Sequence, residues 1–301
     1  MRRIIAAAIA AATLFTAREA TAAEGLFSNK IKGNGKKIIE NRKSAMLFDE
    51  IVVEGPIYLT ISDRRDGDIL VRTDENIMPL VKMEVNDGTF RAKLTYGDAI
   101  EGDVRVEIEM PYNGRIDEIS ASAASKVRVC PRLVGEDIEI KATGASRIWA
   151  DLHAKSVDVE LGGASSAELT VEGEEVDISV WGASSINNLK VKALDCEIYA
   201  TGASKIVGTL TTTECEGESA GASKITLAGK AEVCDFSITG ASKLNATEFV
   251  TNNCKLSASG ASAAHINCTG RLAATATGAS KISYRGDCIV TSASDSVVKE
   301  Q

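Results

Sequence analysis

The sequence predicts an all-β chain. It reads as a parallel β-helix of about nine to ten coils, each of 18–21 residues, behind an irregular β N-terminal cap. Three observations predict this. The tripeptide Gly-Ala-Ser starts at Gly144, Gly163, Gly182, Gly202, Gly221, Gly240, Gly260 and Gly278, at intervals of 19, 19, 20, 19, 19, 20 and 18 residues. A short fixed period means stacked units that each contact their neighbours. Positions six, four and two before each glycine are mostly apolar, as in Val157, Val159 and Leu161 or Cys234, Phe236 and Ile238. That is the period of a strand. The fourth residue after the glycine is usually aliphatic: Val127, Ile148, Ile186, Ile206, Ile225, Leu244 and Ile282.

Each unit is therefore a strand, a tight corner and a second strand. Small residues suit a corner where neighbouring backbones approach closely. Equivalent strands one period apart stack in parallel at about 4.8 Å, which gives a rod of roughly 40–50 Å. Parallel crossovers favour a right-handed sense. Helical repeats need a 3.6-residue pattern, and none is present.

Residues 1–23 read as a targeting segment. Arg2 and Arg3 precede an apolar run from Ile4 to Phe15, and Ala20-Thr21-Ala22 offers a cleavage site. The run is too short to span a bilayer. The expected mature protein is soluble and exported to the periplasm, the cell surface or the medium. A hydrophobic content of 44% supports a folded chain, and a net charge of −8 argues against a partner held through nucleic-acid phosphates. Four prolines suit a sheet-rich repeat.

Residues 24–118 form the predicted N-terminal β region and cap. The stretch 24–45 is basic and reads as a solvated leader, with contact to an anionic lipid or polysaccharide as the alternative. Short β-prone runs follow at 51–53, 57–61, 69–71, 81–85, 90–94 and 104–108. Asn86-Asp87-Gly88 has the composition of a hairpin turn, and 74–83 has room for one helical turn. A solenoid end exposes open strand edges and needs such a cap. The regular repeat is assigned to 119–294 and a short polar tail to 295–301.

Four blocks resemble a known bacterial family. They are Lys32-Gly33-Asn34-Gly35, Phe48-Asp49-Glu50-Ile51-Val52-Val53-Glu54-Gly55, Thr73-Asp74-Glu75-Asn76 and Val85-Asn86-Asp87-Gly88-Thr89. Their order and spacing are similar to those of the putative auto-transporter adhesin, head GIN domain family, common in Bacteroidetes. The resemblance implies a β-helical, exported, adhesin-like protein. Family repeats usually read Ser-Gly-Ser-Gly-Asp or -Asn, whereas these read Gly-Ala-Ser-Lys or Gly-Ala-Ser-Ser.

Stacking turns each repeat position into a column. Cys196, Cys215, Cys234 and Cys254 share the inward parity of Ile138, Val157 and Val176, and are expected as buried thiols acting as small apolar groups. In-register parallel neighbours suit a disulfide poorly; with seven cysteines, a bridge elsewhere stays open. Third after the glycine come Lys126, Arg147, Lys205, Lys224, Lys243 and Lys281. Five before it come Glu139, Asp158, Asp177, Glu197, Glu216 and Asp235. These are expected to be solvated faces with partial pairing, or a stripe for a charged glycan or a divalent cation. The acidic spacing lacks a calcium loop, and no metal or cofactor is assigned.

Trp149, Trp181 and Tyr199 occupy odd, outward positions, where rings can stack on sugars. With Glu197 and Lys205 they form the expected binding neighbourhood, although their offsets allow different faces. His153 and His265 read as surface residues, and no catalytic residue is assigned. The uniform coil length leaves little room for the long loops that wall enzyme grooves on β-helices. These features fit an adhesin-like protein whose surface ladders contact a glycan or envelope partner, with a structural envelope protein stacking end to end, or a glycan-active enzyme, as the alternatives.

Overall fold

The computed structural model describes residues 31–43, 47–64, 67–95, 100–102, 104–294 and 296–300. The expected targeting segment and its cleavage site lie outside the described residues. The protein is a parallel β-solenoid of about nine turns, with a 3₁₀ turn at Met78–Leu80.

The period-two pattern sets which side chains enter the core. Six residues before each corner, Ile138, Val157, Val176, Cys196, Cys215, Cys234, Cys254 and Leu272 pair coil on coil in register. All are buried. Four residues after the corner, Val127, Ile148, Ala167, Ile186, Ile206, Ile225, Leu244, Ala264 and Ile282 form a second buried column. Each fully buried Val or Ile contributes roughly 1.5–3 kcal/mol relative to an exposed one. The outward strand before the corner is called face A below, and the outward strand after it face B.

The corner explains its own sequence. Its glycines have φ between +71° and +81°. A Cβ added at Gly182 would lie 2.6 Å from the carbonyl oxygen of Gly163 one coil back. Side chains are thus excluded by both backbone conformation and close approach. The alanine N–H continues the ladder, as when Ala183 donates to Gly163 O at 2.7 Å. The serine turns inward, and all nine corner serines from Ser125 to Ser280 are buried. Most find partners inside the rod. Ser223 Oγ donates to Ala200 O at 3.0 Å, and Ser280 Oγ to Thr277 O at 2.7 Å. A small hydroxyl can be buried here because carbonyls at the turn accept from it.

The stack extends below residue 119 in a non-sequential order. Glu50–Glu54 and Ile57–Ser62 form a coil turned at Gly55-Pro56. On one side it pairs with Glu118–Ser122 and Lys126–Val129. On the other it pairs with Thr89–Leu94 and Val106–Pro111. Three antiparallel strands then cover the end: Val81–Asn86 on Thr89–Leu94, Asp68–Asp74 on Val106–Pro111, and Lys37–Lys43 on Asp68–Asp74. The expected hairpin is present, with Asp87 and Gly88 both left-handed. Residues 37–43 of the basic leader form a cap strand, and most of its side chains are solvent-exposed as expected.

Two of the resemblance blocks meet in this cap. Asn34 N–H donates to Asn76 Oδ1 at 2.9 Å, Asn76 Nδ2 donates to Lys32 O at 2.7 Å, and Lys37 stands 3.1 Å from the buried Asp74. At the far end, Ile289–Ala293 and Val297–Lys299 each join the stack through one edge among the described residues.

Candidate functional site

Face B carries a shallow trough, and the coil lengths make it. The coils that start at Gly182 and Gly240 have 20 residues; the two between them have 19. The extra residue falls on the strand after the corner in both cases. Register shifts between Ile186 and Leu189, against Ile206 and Gly208. It shifts again where Thr226 and Ala228 face Asn245 and Glu248. These are bulges, which lift the strand locally. Asn187 and Asn188 rise on one side, and Asn245, Thr247 and Glu248 on the other. Gly208, Thr226 and Ala228 give a small-residue floor between them, which Val207 and Leu227 also line. The bulged coils are three strand spacings apart, about 14 Å.

The second wall is braced. Arg285 Nε donates to Thr247 O at 3.0 Å and its guanidinium pairs with Glu248 at 2.6 Å. Thr247 Oγ1 donates to Asn245 Oδ1 at 2.8 Å. At the first wall, Asn187 Nδ2 donates to Ser185 Oγ at 3.1 Å, and Lys205 Nζ reaches Asn187 Oδ1 at 3.5 Å. Beside the trough at its corner end stand Lys205, Lys224 and Lys243, in register on consecutive coils and exposed. None has a carboxylate within 4 Å among the described residues. The trough thus combines amides, hydroxyls and a small-residue floor with three available cations.

Face A is the opposite in charge. Glu50, Glu118, Glu139, Asp158, Asp177, Glu197, Glu216 and Asp235 stack in one in-register column. Cations serve its ends. Lys141 stands 2.6 Å from Glu139 and 3.5 Å from Glu118, and Lys255 stands 2.5 Å from Asp235. The middle four, Asp158 to Glu216, have no lysine or arginine nitrogen within 4 Å among the described residues. Crowding between coils that takes water from the carboxylate, then the charges of Glu197 and Asp158, push Asp177 up to about 6 even though the residue remains largely exposed. The same causes, desolvation first and like charge second, raise Asp158, Asp195 and Glu216.

The expected binding residues are distributed rather than gathered. Lys205 lies at the trough. Trp149 is on face B, in column with Glu168 and Asn188, two coils beyond the first wall. It is half-buried, with Arg128 4.8 Å and Arg147 5.6 Å from its ring centre, and its Nε1–H donates to Glu168 at 3.0 Å. Tyr199 and Glu197 are on face A, the tyrosine hydroxyl donating to the carboxylate at 2.7 Å. Trp181 lies at the corner with its indole over Gly162. The trough residues Asn187, Asn188, Thr226 and Asn245 drew no notice in the sequence. The two 20-residue intervals were the available signal.

Other reactive groups are already partnered. His265 Nδ1 lies 2.6 Å from Ser283 Oγ and 2.9 Å from Glu300 Oε1, and Ser283 also bonds Glu300. Serine and carboxylate meet the same ring nitrogen, so this cluster has no relay through the imidazole of the kind a nucleophile needs. It clamps the last strand to the stack. Glu139, Asp158 and Glu160 bring an oxygen each within 4.8 Å of one another; Lys141 supplies their local positive charge. None of the seven cysteines is in a disulfide. Cys196, Cys215, Cys234, Cys254 and Cys268 are buried and Cys130 is exposed.

Fold and surface together define the class: a β-solenoid repeat protein whose chemistry lies on outward columns. The sequence profile of the family described as "Putative auto-transporter adhesin, head GIN domain" matches residues 47–207 and 188–288, and the chain belongs to that family. Membership supports an adhesin-like binding role and a place at or beyond the cell surface. The chain is similar to a solved putative adhesin from Parabacteroides merdae, at 20% identity and TM-score 0.47, over 91% of this chain and 100% of that one. A putative adhesin from Parabacteroides distasonis gives 21% identity and TM-score 0.49, over 90% and 99%. A putative lipid binding protein from the same organism gives 17% and 0.42, over 90% and 99%. A search among curated proteins returns no match. Among the described residues no helix is long and apolar enough to cross a membrane.

Proposed function

We propose that the protein is exported through residues 1–23 and acts without catalysis, as an adhesin-like rod that holds an acidic glycan of the cell envelope in the face B trough. The observation that carries this reading is the row of available lysines, Lys205, Lys224 and Lys243, beside a trough walled by amides. Amides and hydroxyls suit sugar hydroxyls, a floor of small residues admits a ring, and the lysines suit carboxylate, sulfate or phosphate substituents. Each exposed charge contact contributes little by itself, about 0.2–1 kcal/mol. A repetitive polymer sums many such contacts through effective concentration. Trp149 lies on the same face, two coils away, where a longer chain could reach its edge.

Binding of a uronic-acid polymer and of a neutral glucan to the purified protein tests this. The acidic polymer should bind and the neutral one should not. The variant Lys205→Gln/Lys224→Gln/Lys243→Gln should weaken binding by about tenfold or more, as should Ala228→Trp, which fills the floor. Equal binding of both polymers, or an unchanged lysine variant, would overturn the reading.

A further inference from the structure

The two charged columns have complementary gaps. Among the described residues, face A holds four consecutive carboxylates, Asp158, Asp177, Glu197 and Glu216, with no lysine or arginine nitrogen within 4 Å, and face B holds three consecutive lysines with no carboxylate within 4 Å. Within one rod they cannot neutralise each other, because they lie on strands separated by the corner and both point outward. Both columns have the pitch of the hydrogen-bonded stack, about 4.8 Å. A second copy of this chain has that pitch by construction.

We infer that copies of this rod associate side by side, with the lysine column of one copy seated on the acidic column of the next. With axes aligned, three lysines meet three successive carboxylates without change of spacing, and each meeting relieves like-charge crowding on both columns. The desolvated, raised carboxylates of Asp158, Asp177 and Glu216 mark where that crowding is greatest. The two surfaces are different patches of the chain, so the contact is heterologous. Each added copy leaves one free column of each sign, and association therefore grows into rows instead of closing at a dimer. The net charge of −8 opposes association at long range. At about 0.1 M salt the screening length is about 10 Å, which suppresses that long-range term while close pairs survive; at about 1 M it is about 3 Å and the pairs are lost too.

This inference stands apart from glycan binding, and the test keeps them distinct. Sedimentation velocity over a concentration series at about 0.1 M and about 1 M salt should show association at the lower salt and none at the higher. Asp158→Asn/Asp177→Asn/Glu216→Gln should remain monomeric yet still bind the uronic-acid polymer. Lys205→Gln/Lys224→Gln/Lys243→Gln should also remain monomeric. Mixing the two variants should restore a single complementary contact and give a 1:1 complex that does not grow. Circular dichroism and thermal melting confirm that both variants are folded. A native protein that stays monomeric at both salts, a variant that associates as the native chain does, or a mixture that gives no complex would each overturn the inference.

Discussion

Asp177 stands in register with Glu197 on the next coil, and no lysine or arginine nitrogen lies within 4 Å of either carboxylate among the described residues. Parallel stacking holds them at the strand spacing, where like charges opposite each other destabilise a sheet. The backbone ladder and the buried columns beneath them, including Ile178 and Ile198, outweigh that cost.

A pH dependence follows for this pair. The Asp177 carboxyl rises from its ordinary 3.8 to about 6 in the fold. Between those values the folded state binds more protons than the unfolded one, so stability falls as pH rises through the window. Melting at pH 5 should exceed melting at pH 7. Because the side chain is well exposed, solvent screening limits the gain to about 1 kcal/mol, or about 2 °C. Asp177→Asn should raise the melting temperature at pH 7 and flatten the difference. Melting temperatures of both proteins between pH 4.5 and 7.5 check this, and an unchanged slope in the variant would count against it. Glu172 and Glu300, whose pKa values are lowered from 4.5 by Lys192 and by Ser283 with His265, act in the opposite sense as pH falls below about 4.5.

The first corner offers a stabilising change. In place of Gly-Ala-Ser the chain has Ala123-Ala124-Ser125, and both alanines are left-handed, at φ +53° and +69°. An L-residue there costs roughly 1–2 kcal/mol, while glycine adds entropy to the unfolded chain. Ala123→Gly should therefore stabilise the protein by about 1 kcal/mol, read as a rise of about 2 °C in melting temperature.

The solenoid itself was readable in the residues, because one motif at a near-constant interval repeats the same geometry and period two fixes parity. Cys234 could be placed in the core for that reason alone. The coil at 50–62 could not be placed, because Gly55-Pro56 turns it without the motif and it pairs with strands from both 89–111 and 118–129. Trp149 was readable as outward. Its cover by Arg128 and Arg147 was not, because that depends on side chains from its own coil and the neighbouring one. The trough depends on where a twentieth residue is accommodated within a coil, which hydrogen-bond register decides and composition does not.

Thiol reactivity should divide the cysteines sharply. Burial, then the neighbouring Cys268, pushes Cys254 up to about 12; a hydrogen bond with Cys215, then burial, raises Cys234 strongly. Thiolate is the reactive form, so both should resist labelling, as should buried Cys196, Cys215 and Cys268. Cys130 is exposed and should react first in native protein, with partly buried Cys288 slower. After unfolding all seven should react. Mass spectrometry of alkylated native protein checks this, and rapid modification of Cys234 would show that the rod opens locally.

A core aliphatic side chain and a surface ring should respond differently to substitution. Ile178 is fully buried between Val159 and Ile198 in the stack. Ile178→Asp would place an unpaired charge there and should prevent folding, since an isolated buried carboxylate costs several kcal/mol. Trp149→Ala removes a half-buried ring held by two arginines, each such contact contributing about 0.5–1 kcal/mol at an exposed site. It should lower stability by about 1–2 kcal/mol while the circular-dichroism spectrum stays that of a β protein.

The bulges make the sharpest separation between fold and site. Between the inward residues Ile186 and Leu189 lie two residues, Asn187 and Asn188, where the next coil has Val207 alone. Deleting Asn188 restores one-for-one pairing and leaves Leu189 on the core side. The 20-residue coil becomes a 19-residue coil like its neighbours, and the first wall of the trough flattens. The deletion should fold with a melting temperature within about 2 °C of the native chain, yet bind the uronic-acid polymer more weakly. Deleting Val207 is the control. It removes a residue from a coil with none to spare, shifts the parity of the strand, and turns its inward set outward. That variant should unfold or aggregate. If deleting Asn188 were as damaging as deleting Val207, the bulge would be a requirement of the fold and the trough a by-product of it.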